Sequence, residues 1–389
     1  MQTSRRIRLL ILAVSFVTAS LPAVAQVVTA TIPAGIDPFS VAVNSVTNTM
    51  YAVNTCGNDP TCSTHGTVTV INGANNNTTT VNAGALPYFA AVDSVTNTIY
   101  VANYCGNDPT CSSPGTVTVI DGANNSIITT VTVGFSSYSL AVNATTNKIY
   151  VANECTNISC NTPGTVTVIS ANNNYSTSTI NVGVEPKSIA VDPATNFIYV
   201  ANGSCFTFPS CPSAGTVTVI NGNNSSTQTV NVGVNPVFIA VNSVTNRIYV
   251  SNDCGTDLNC GSLGTVTVIN GNTLGTTPVN VGFYPQDIAV NSATNQIYVA
   301  NNCGNTCNDP GSVTVGFISN RDWEGGIVCP VNHGHRPRAF AMRIVAASIR
   351  HINLIGHAFH PVYLDIDTVA TPTTSPRPST LNQQDLCLQ

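Results

Sequence analysis

A Thr-Asn pair falls at Asn48, Asn97, Asn147, Asn196, Asn246 and Asn295, in steps of 49, 50, 49, 50 and 49 residues. A period of this length points to stacked supersecondary units rather than to one irregular core. Each pair leads into a segment carrying Tyr51, Tyr100, Tyr150, Tyr199, Tyr249 or Tyr298. A Gly-Thr-Val-Thr-Val segment, or its Ser variant, then starts at Gly66, Gly115, Gly164, Gly215, Gly264 and Gly311. A Thr/Val-rich segment closes the unit at Gly84, Gly134, Gly183, Gly233 and Gly282.

Every unit parses into four short strands, a to d. In the second unit these are Ala90 to Asp93, Thr98 to Asn103, Gly115 to Asp121 and Ile127 to Val133. Val alternates with Thr, and Ile with Ala, which is the two-residue period of a strand. Asn97 stands between strands a and b, where a tight turn needs a residue that tolerates positive φ. One small twisted sheet cannot cover its own faces. Stacking four-stranded units around an axis covers both and leaves only short outer edges. The expected fold is therefore all-β, a β-propeller.

Units such as Ala-Thr-Asn-Phe-Ile-Tyr-Val-Ala-Asn (194–202), followed by Gly-Thr-Val-Thr-Val-Ile-Asn-Gly (215–222), resemble the YVTN β-propeller repeat. The resemblance recurs six times over about 290 residues. It implies exported or surface-layer-type propellers, YncE-like proteins and distant relatives of lactonases, commonly with seven blades. Counting units instead gives six. Val28 to Gly35 matches strand d, as in Thr78 to Gly84, so an N-terminal strand is expected to complete the last blade beside residues 311–316.

Twelve of the fourteen cysteines come as one pair per unit, in the loop between strands b and c. The pairs are Cys56/Cys62, Cys105/Cys111, Cys155/Cys160, Cys205/Cys211, Cys254/Cys260 and Cys303/Cys307. Equivalent positions and short spacing favour a disulfide within each unit, worth about 2 kcal/mol apiece, with loop rigidity the larger benefit. Zinc sites use shorter Cys spacings with further Cys or His nearby, so no metal is expected. Disulfides imply an oxidising compartment. The N-terminus agrees. Arg5, Arg6 and Arg8 precede an apolar Leu9–Ala19 and an Ala23-Val24-Ala25 cleavage site. That is an export signal over residues 1–25, and the mature chain is expected to be secreted, periplasmic or at the cell surface, with no membrane span.

From Gln26 to Val315 there are twelve carboxylates against Lys148, Lys187 and Arg247. An acidic body of this kind excludes nucleic acid, which needs a basic footprint. The residues after the d–a linkers, Phe39, Tyr88, Tyr138, Lys187, Val237 and Gln286, are expected near the channel mouth, on the face that carries the pinned loops. Loops on a rigid scaffold commonly carry binding. The plainer expectation is that these aromatics plug the channel. Asp59, Asp108, Glu154, Asp253, Asp257 and Asp309 lie in or beside the pinned loops. They could hold calcium, but solvated loop carboxylates are the simpler expectation.

His65 is the only histidine of the body, so a nucleophile–His–Asp triad has little to build on. No cofactor is implied. The reading is a monomeric, non-enzymatic propeller with a structural role or a protein or glycan partner at the envelope. The alternative is a lactonase-like hydrolase with a channel site. For that reading the strand-a carboxylates Asp93 and Asp192 are the candidates, although both suit turns. Domain boundaries are set at 26–316 for the propeller and 317–389 for a tail without the repeat. The tail holds Trp323, five of the six histidines and six of the twelve basic residues. It reads as disordered or as the product of a shifted reading frame. Cys329 and Cys387 fall there.

Overall fold

The computed structural model describes residues 30–317 and 327–330, apart from 159, 161, 204–212 and 305–309. Six four-stranded antiparallel sheets follow one another along the chain, each built from strands consecutive in sequence. In the second sheet, strands a to d are Pro87–Asp93, Thr98–Asn103, Thr116–Asp121 and Ser126–Thr132. The innermost strands of the six are Ile36–Asn44, Pro87–Asp93, Phe135–Asn143, Pro186–Asp192, Pro236–Asn242 and Phe283–Asn291, and each contacts the next. The only helical element among the described residues is a 3-10 turn at Ala171–Asn173. The chain is a β-propeller, as the repeat predicts.

Local chemistry makes each sheet. All six Thr-Asn asparagines occupy the left-handed region, with φ between 49° and 57°. Asn97 there offers its carbonyl to Gly122 N at 2.8 Å, which fixes the a–b turn against the end of strand c. At the other end, Asn103 closes strand b. Its Nδ2 donates to Thr116 Oγ1 and Thr118 Oγ1 on strand c at 3.0 and 2.9 Å, and its Oδ1 accepts from Gly84 N in the linker at 2.9 Å. Asn153 and Asn202 hold Gly134 and Gly183 in the same way.

Packing between sheets repeats too. The tyrosine of strand b and the valines of strand c in one sheet bury against strands a and b of the next. Tyr51, Val53, Val68 and Val70 meet Ile99, Val101 and Ile120, with Ala90 and Val92 at the margin. The linker glycine and proline explain two recurrent letters. Gly215 opens strand c against Pro236 of the following linker so closely that a Cβ would overlap the proline ring. Where the linker has Ser137 in place of proline, Gly115 meets that hydroxyl instead.

The expected closure by an N-terminal strand is corrected. Strand c of the sixth sheet, Ser312–Phe317, pairs with Ile327–Pro330. Ala30 to Gly35 carries no strand, and Val28 lies outside the described residues. A segment some ten residues downstream loses far less entropy in pairing than one nearly 300 residues away. Among the described residues, one side of the first sheet is also more open than its equivalents. Val41 and Val43 are 63% and 58% exposed, whereas Leu140, Ile189, Ile239 and Ile288, at the position of Val41, are buried against the preceding sheet.

Cys56–Cys62, Cys105–Cys111, Cys155–Cys160 and Cys254–Cys260 are disulfides within their units. Cys303 is also disulfide-bonded, while Cys205, Cys211 and Cys307 lie outside the described residues. Among the described residues no helix is long and apolar enough to cross a membrane.

Gly215→Ala is expected to destabilise the fold by about 1–3 kcal/mol, because the proline it strikes belongs to another sheet and cannot simply rotate away. Urea unfolding of the oxidised protein measures it; a wild-type midpoint would refute the close-packing account.

Candidate functional site at the channel mouth

The six inner strands share an irregularity. Pairing of strand a with strand b skips one residue in each sheet, between 38 and 40, 87 and 89, 137 and 139, 186 and 188, 236 and 238, and 285 and 287. The skipped residues are Phe39, Tyr88, Tyr138, Lys187, Val237 and Gln286. These are the residues the sequence places at the channel mouth. A bulge re-aims the side chain of its extra residue. The residue two positions earlier is left-handed in every unit: Asp37, Leu86, Ser136, Glu185, Asn235 and Tyr284 have φ between 47° and 56°. For Leu, Glu and Tyr this conformation costs about 1–2 kcal/mol each, and such strain gathers where a site is held in shape.

One cavity of about 450 Å³ opens here, and every sheet contributes to it. Phe39, Phe89, Tyr138, Val237 and Phe238 give it an aromatic and apolar lining, and Glu154, Lys187, Asp253, Gln286 and Asp287 a polar one. Tyr88 does not line it. That ring stacks behind the aromatic lining, 4.8 Å from Phe39, 5.2 Å from Tyr104 and 5.4 Å from Tyr138. Phe89 and Phe238, from the second and fifth sheets, approach to 6.4 Å. Phe39 remains 45% exposed at the rim.

The linker and the start of the b–c loop are tied together at this end. Tyr104 N donates to Leu86 O at 2.9 Å and Asp253 N to Asn235 O at 3.0 Å. His65, the lone histidine of the body, contacts Asn107 O at 3.0 Å through Nε2 and so joins the first two pinned loops.

The pinned-loop carboxylates divide into two kinds. Asp59 accepts from the backbone and hydroxyl groups of Thr61 and Ser63, which holds its carboxyl well below the usual range. Asp108 and Asp257 brace their loops by the same pattern. Glu154 and Asp253 are not solvated loop carboxylates, and that expectation is corrected for both. Each immediately follows the asparagine ending strand b, so the chain has not yet left the sheet and the side chain turns into the channel. Asp309 lies outside the described residues.

Burial pushes Glu154 up to about 7; the hydroxyl of Tyr104, donating to its Oε2 at 3.1 Å, and the charge of Lys187 only partly offset this. Burial also pushes Asp253 up to about 7, against Lys187 and hydrogen bonds from Gln286 Nε2 and Asn235 Nδ2, both at 3.1 Å. Asp287, exposed at the rim, is raised by partial desolvation against the N–H of Ile288. Lys187 Nζ donates to Asn235 Oδ1 at 3.2 Å. Phe89, Phe238 and Asp287 escaped sequence reasoning. Their signal was the residue after the bulge, which reads Ser, Phe, Ser, Ser, Phe, Asp over the six units.

Asp93 and Asp192 are not in this site. Both end strand a at the opposite face, about 20 Å away along the strand. Asp93 Oδ1 accepts from Val95 N and Thr96 N, and Asp192 binds Ala194 N and Thr195 Oγ1, so they form turns.

Solved structures share this fold at low identity. A hydrazine synthase of Kuenenia stuttgartiensis aligns with a TM-score of 0.55 at 15% identity, over 75% of this chain and 80% of its own. The β-propeller domain of Cps50 (Swd1) from Myceliophteria thermophila gives 0.54 at 8%, over 79% and 89%. A putative 6-phosphogluconolactonase from Bacteroides uniformis gives 0.52 at 14%, over 78% and 86%. No family model matches the chain, and no curated protein does. Together, fold and neighbours place the chain in the class of β-propellers.

Glu154 and Asp253 have raised pKa values, so the stability they lend is complete below pH of about 4 and is lost as pH rises through about 7. The melting temperature is expected to fall between pH 5 and pH 8, and Glu154→Gln with Asp253→Asn to flatten that fall. An unchanged slope in the double variant, followed by circular dichroism, would contradict the burial of these carboxylates.

Proposed function

We propose that this chain is an exported, non-enzymatic propeller of the YVTN-repeat kind that binds a protein or glycan partner, at the envelope or outside the cell, through the channel mouth. The observation that carries this reading is the contrast within the repeat. Asn, Tyr and Gly-Thr-Val-Thr-Val recur in nearly every unit, while the bulged position reads Phe, Tyr, Tyr, Lys, Val, Gln. Six equivalent places in one scaffold need the same framework residues. They need different side chains only if the mouth as a whole must fit something asymmetric. Disulfides beside that mouth restrict the loops around it, which lowers the ordering cost of binding. Four of them in the described residues fit an oxidising compartment.

A hydrolase is the second reading. Two carboxylates pushed to about 7 in one cavity are the sort of pair that general acid–base chemistry uses, and the putative lactonase shares the fold. Against it, Tyr104, Gln286 and Asn235 already engage the two carboxyl groups, an arrangement that holds a surface in place.

The mature oxidised chain, immobilised and exposed to an envelope extract, is expected to retain a partner that Phe39→Ala/Tyr138→Ala loses at least tenfold. A parallel screen of lactones and esters is expected to show no turnover. Turnover that disappears in Glu154→Gln or Asp253→Asn would replace the binding reading with the enzymatic one.

A further inference from the structure

The cavity is not a neutral cleft. Its walls combine aromatic faces with an excess of carboxylates. Glu154 arrives from the third sheet, Asp253 from the fifth and Asp287 from the sixth, against the single ammonium of Lys187 from the fourth. Beyond the walls, Glu185 adds its charge to the field at Glu154, and Asp37 to that at Tyr88. Glu185 Oε2 is enclosed and accepts no hydrogen bond among the described residues. Tyr104 and Tyr138, the other titrating groups here, are both pushed up to about 12 and stay neutral. Lys187 is held by Asn235 Oδ1; once pH exceeds about 7 and Glu154 and Asp253 have ionised, it offsets one negative charge of the three.

A neutral polyol would satisfy hydrogen bonds in such a cavity but leave the charge excess standing. An anion would meet one ammonium and three carboxylates. A cation relieves the excess, and aromatic faces attract cations that have shed water, by about 2 kcal/mol or more when desolvated. The lining rings offer a surface for an apolar body: Phe39, Phe89 and Tyr138 lie with centroids 6.0, 6.5 and 6.1 Å apart.

Resting on the reading of the mouth as a binding site, we propose that it takes an organic cation, an ammonium borne on a flat or bulky apolar body. The charge sits among Glu154, Asp253 and Asp287, and the body lies against Phe39, Tyr138 and Phe89. Whether the group comes free or as a side chain of a partner protein, the recognising chemistry is the same. Binding would compete with protons for Glu154 and Asp253, which hold theirs up to about pH 7. Lys187 would weaken it.

The test is calorimetric titration of the mature oxidised protein with benzyltrimethylammonium, and with benzyl alcohol and benzoate as neutral and anionic analogues. A lysine-rich peptide serves as the macromolecular source of the same charge. The cation is expected to bind at pH 8.5 and about tenfold more weakly at pH 5.5. Glu154→Gln/Asp253→Asn should weaken it at least tenfold and flatten the pH dependence to what Asp287 alone supplies, Phe39→Ala/Tyr138→Ala should weaken it at both pH values, and Lys187→Met should tighten it. A peptide that outcompetes the small cation would identify a protein-borne group. If benzyl alcohol or benzoate binds as tightly as the cation and Phe39→Ala/Tyr138→Ala abolishes that binding, the mouth is a binding site but not one for cations. If the cation binds with no response to any of these variants, or does not bind at all, the cation proposal fails; the partner retained from extract then decides separately whether the mouth binds anything.

Discussion

The asparagine that ends strand b governs the geometry of the mouth. In the second, third and fourth sheets its amide donates to hydroxyls of strand c and accepts from a glycine of the linker arriving from the previous sheet, whereas in the first, fifth and sixth its oxygen is buried without a partner among the described residues. One buried side chain thus joins two strands and a linker, and it does so where the next residue enters the channel. Where every bond is made, as at Asn103, Asn153 and Asn202, the linker has little freedom to drift. The bulge on strand a and the left-handed residue before it lie in that held linker. The direction in which Tyr138 or Lys187 points follows from an amide several ångströms away that touches no ligand.

Burial supplies the force that this amide directs. Each sheet offers a tyrosine and valine face to its successor and an isoleucine face to its predecessor, and five such interfaces run through the chain. The first sheet, more open on one side among the described residues, shows what the arrangement requires. Val41 and Val43 have the same register as residues that are buried or half-buried elsewhere, yet stand in solvent. Nothing in strand Ile36–Asn44 marks it as terminal; only its place in the order does.

The architecture was legible because it rests on short-range chemistry written six times. Positive φ at Asn97, alternation in Thr-Val-Thr-Val and the Cys spacing each act within a few residues. The pairing partner of Ser312–Phe317 was not legible, because any polar, β-prone segment can fill an outer edge and sequence likeness to strand d is weak evidence for which one does. Of the mouth, the bulged ring was readable from its place after the linker. Glu154 and Asp253 were misread because their neighbour is a cysteine of the pinned loop, and proximity in sequence suggested proximity in space. Register decides otherwise: a residue just past the strand-b asparagine belongs to the channel, and one three places beyond the first cysteine belongs to the rim, as Asp59 and Asp108 do.

Buried charge is concentrated at one end of the molecule, on a backbone that is itself held in shape there. Leu86, Glu185 and Tyr284 sit in a conformation that side chains avoid, and three carboxylates share one ammonium. Left-handed backbone occurs at the opposite face too, at the a–b asparagines and at Tyr175, Ser225 and Leu274 of the c–d turns, but there Asp93 and Asp192 are matched to backbone donors. A repeat fold makes such asymmetry sustainable. Each unit adds a similar increment of burial, so the unfavourable terms at the mouth are spread over six sheets and four or more disulfides. Selection for stability alone would have removed them position by position, since Gly or Asn before the linker proline and a neutral residue after strand b satisfy the same framework. Asn235 and Gly203 show that both substitutions are compatible with the repeat. That the costly residues persist at the remaining positions is the physical reason to regard this end, and not the pinned loops themselves, as the working part of the molecule.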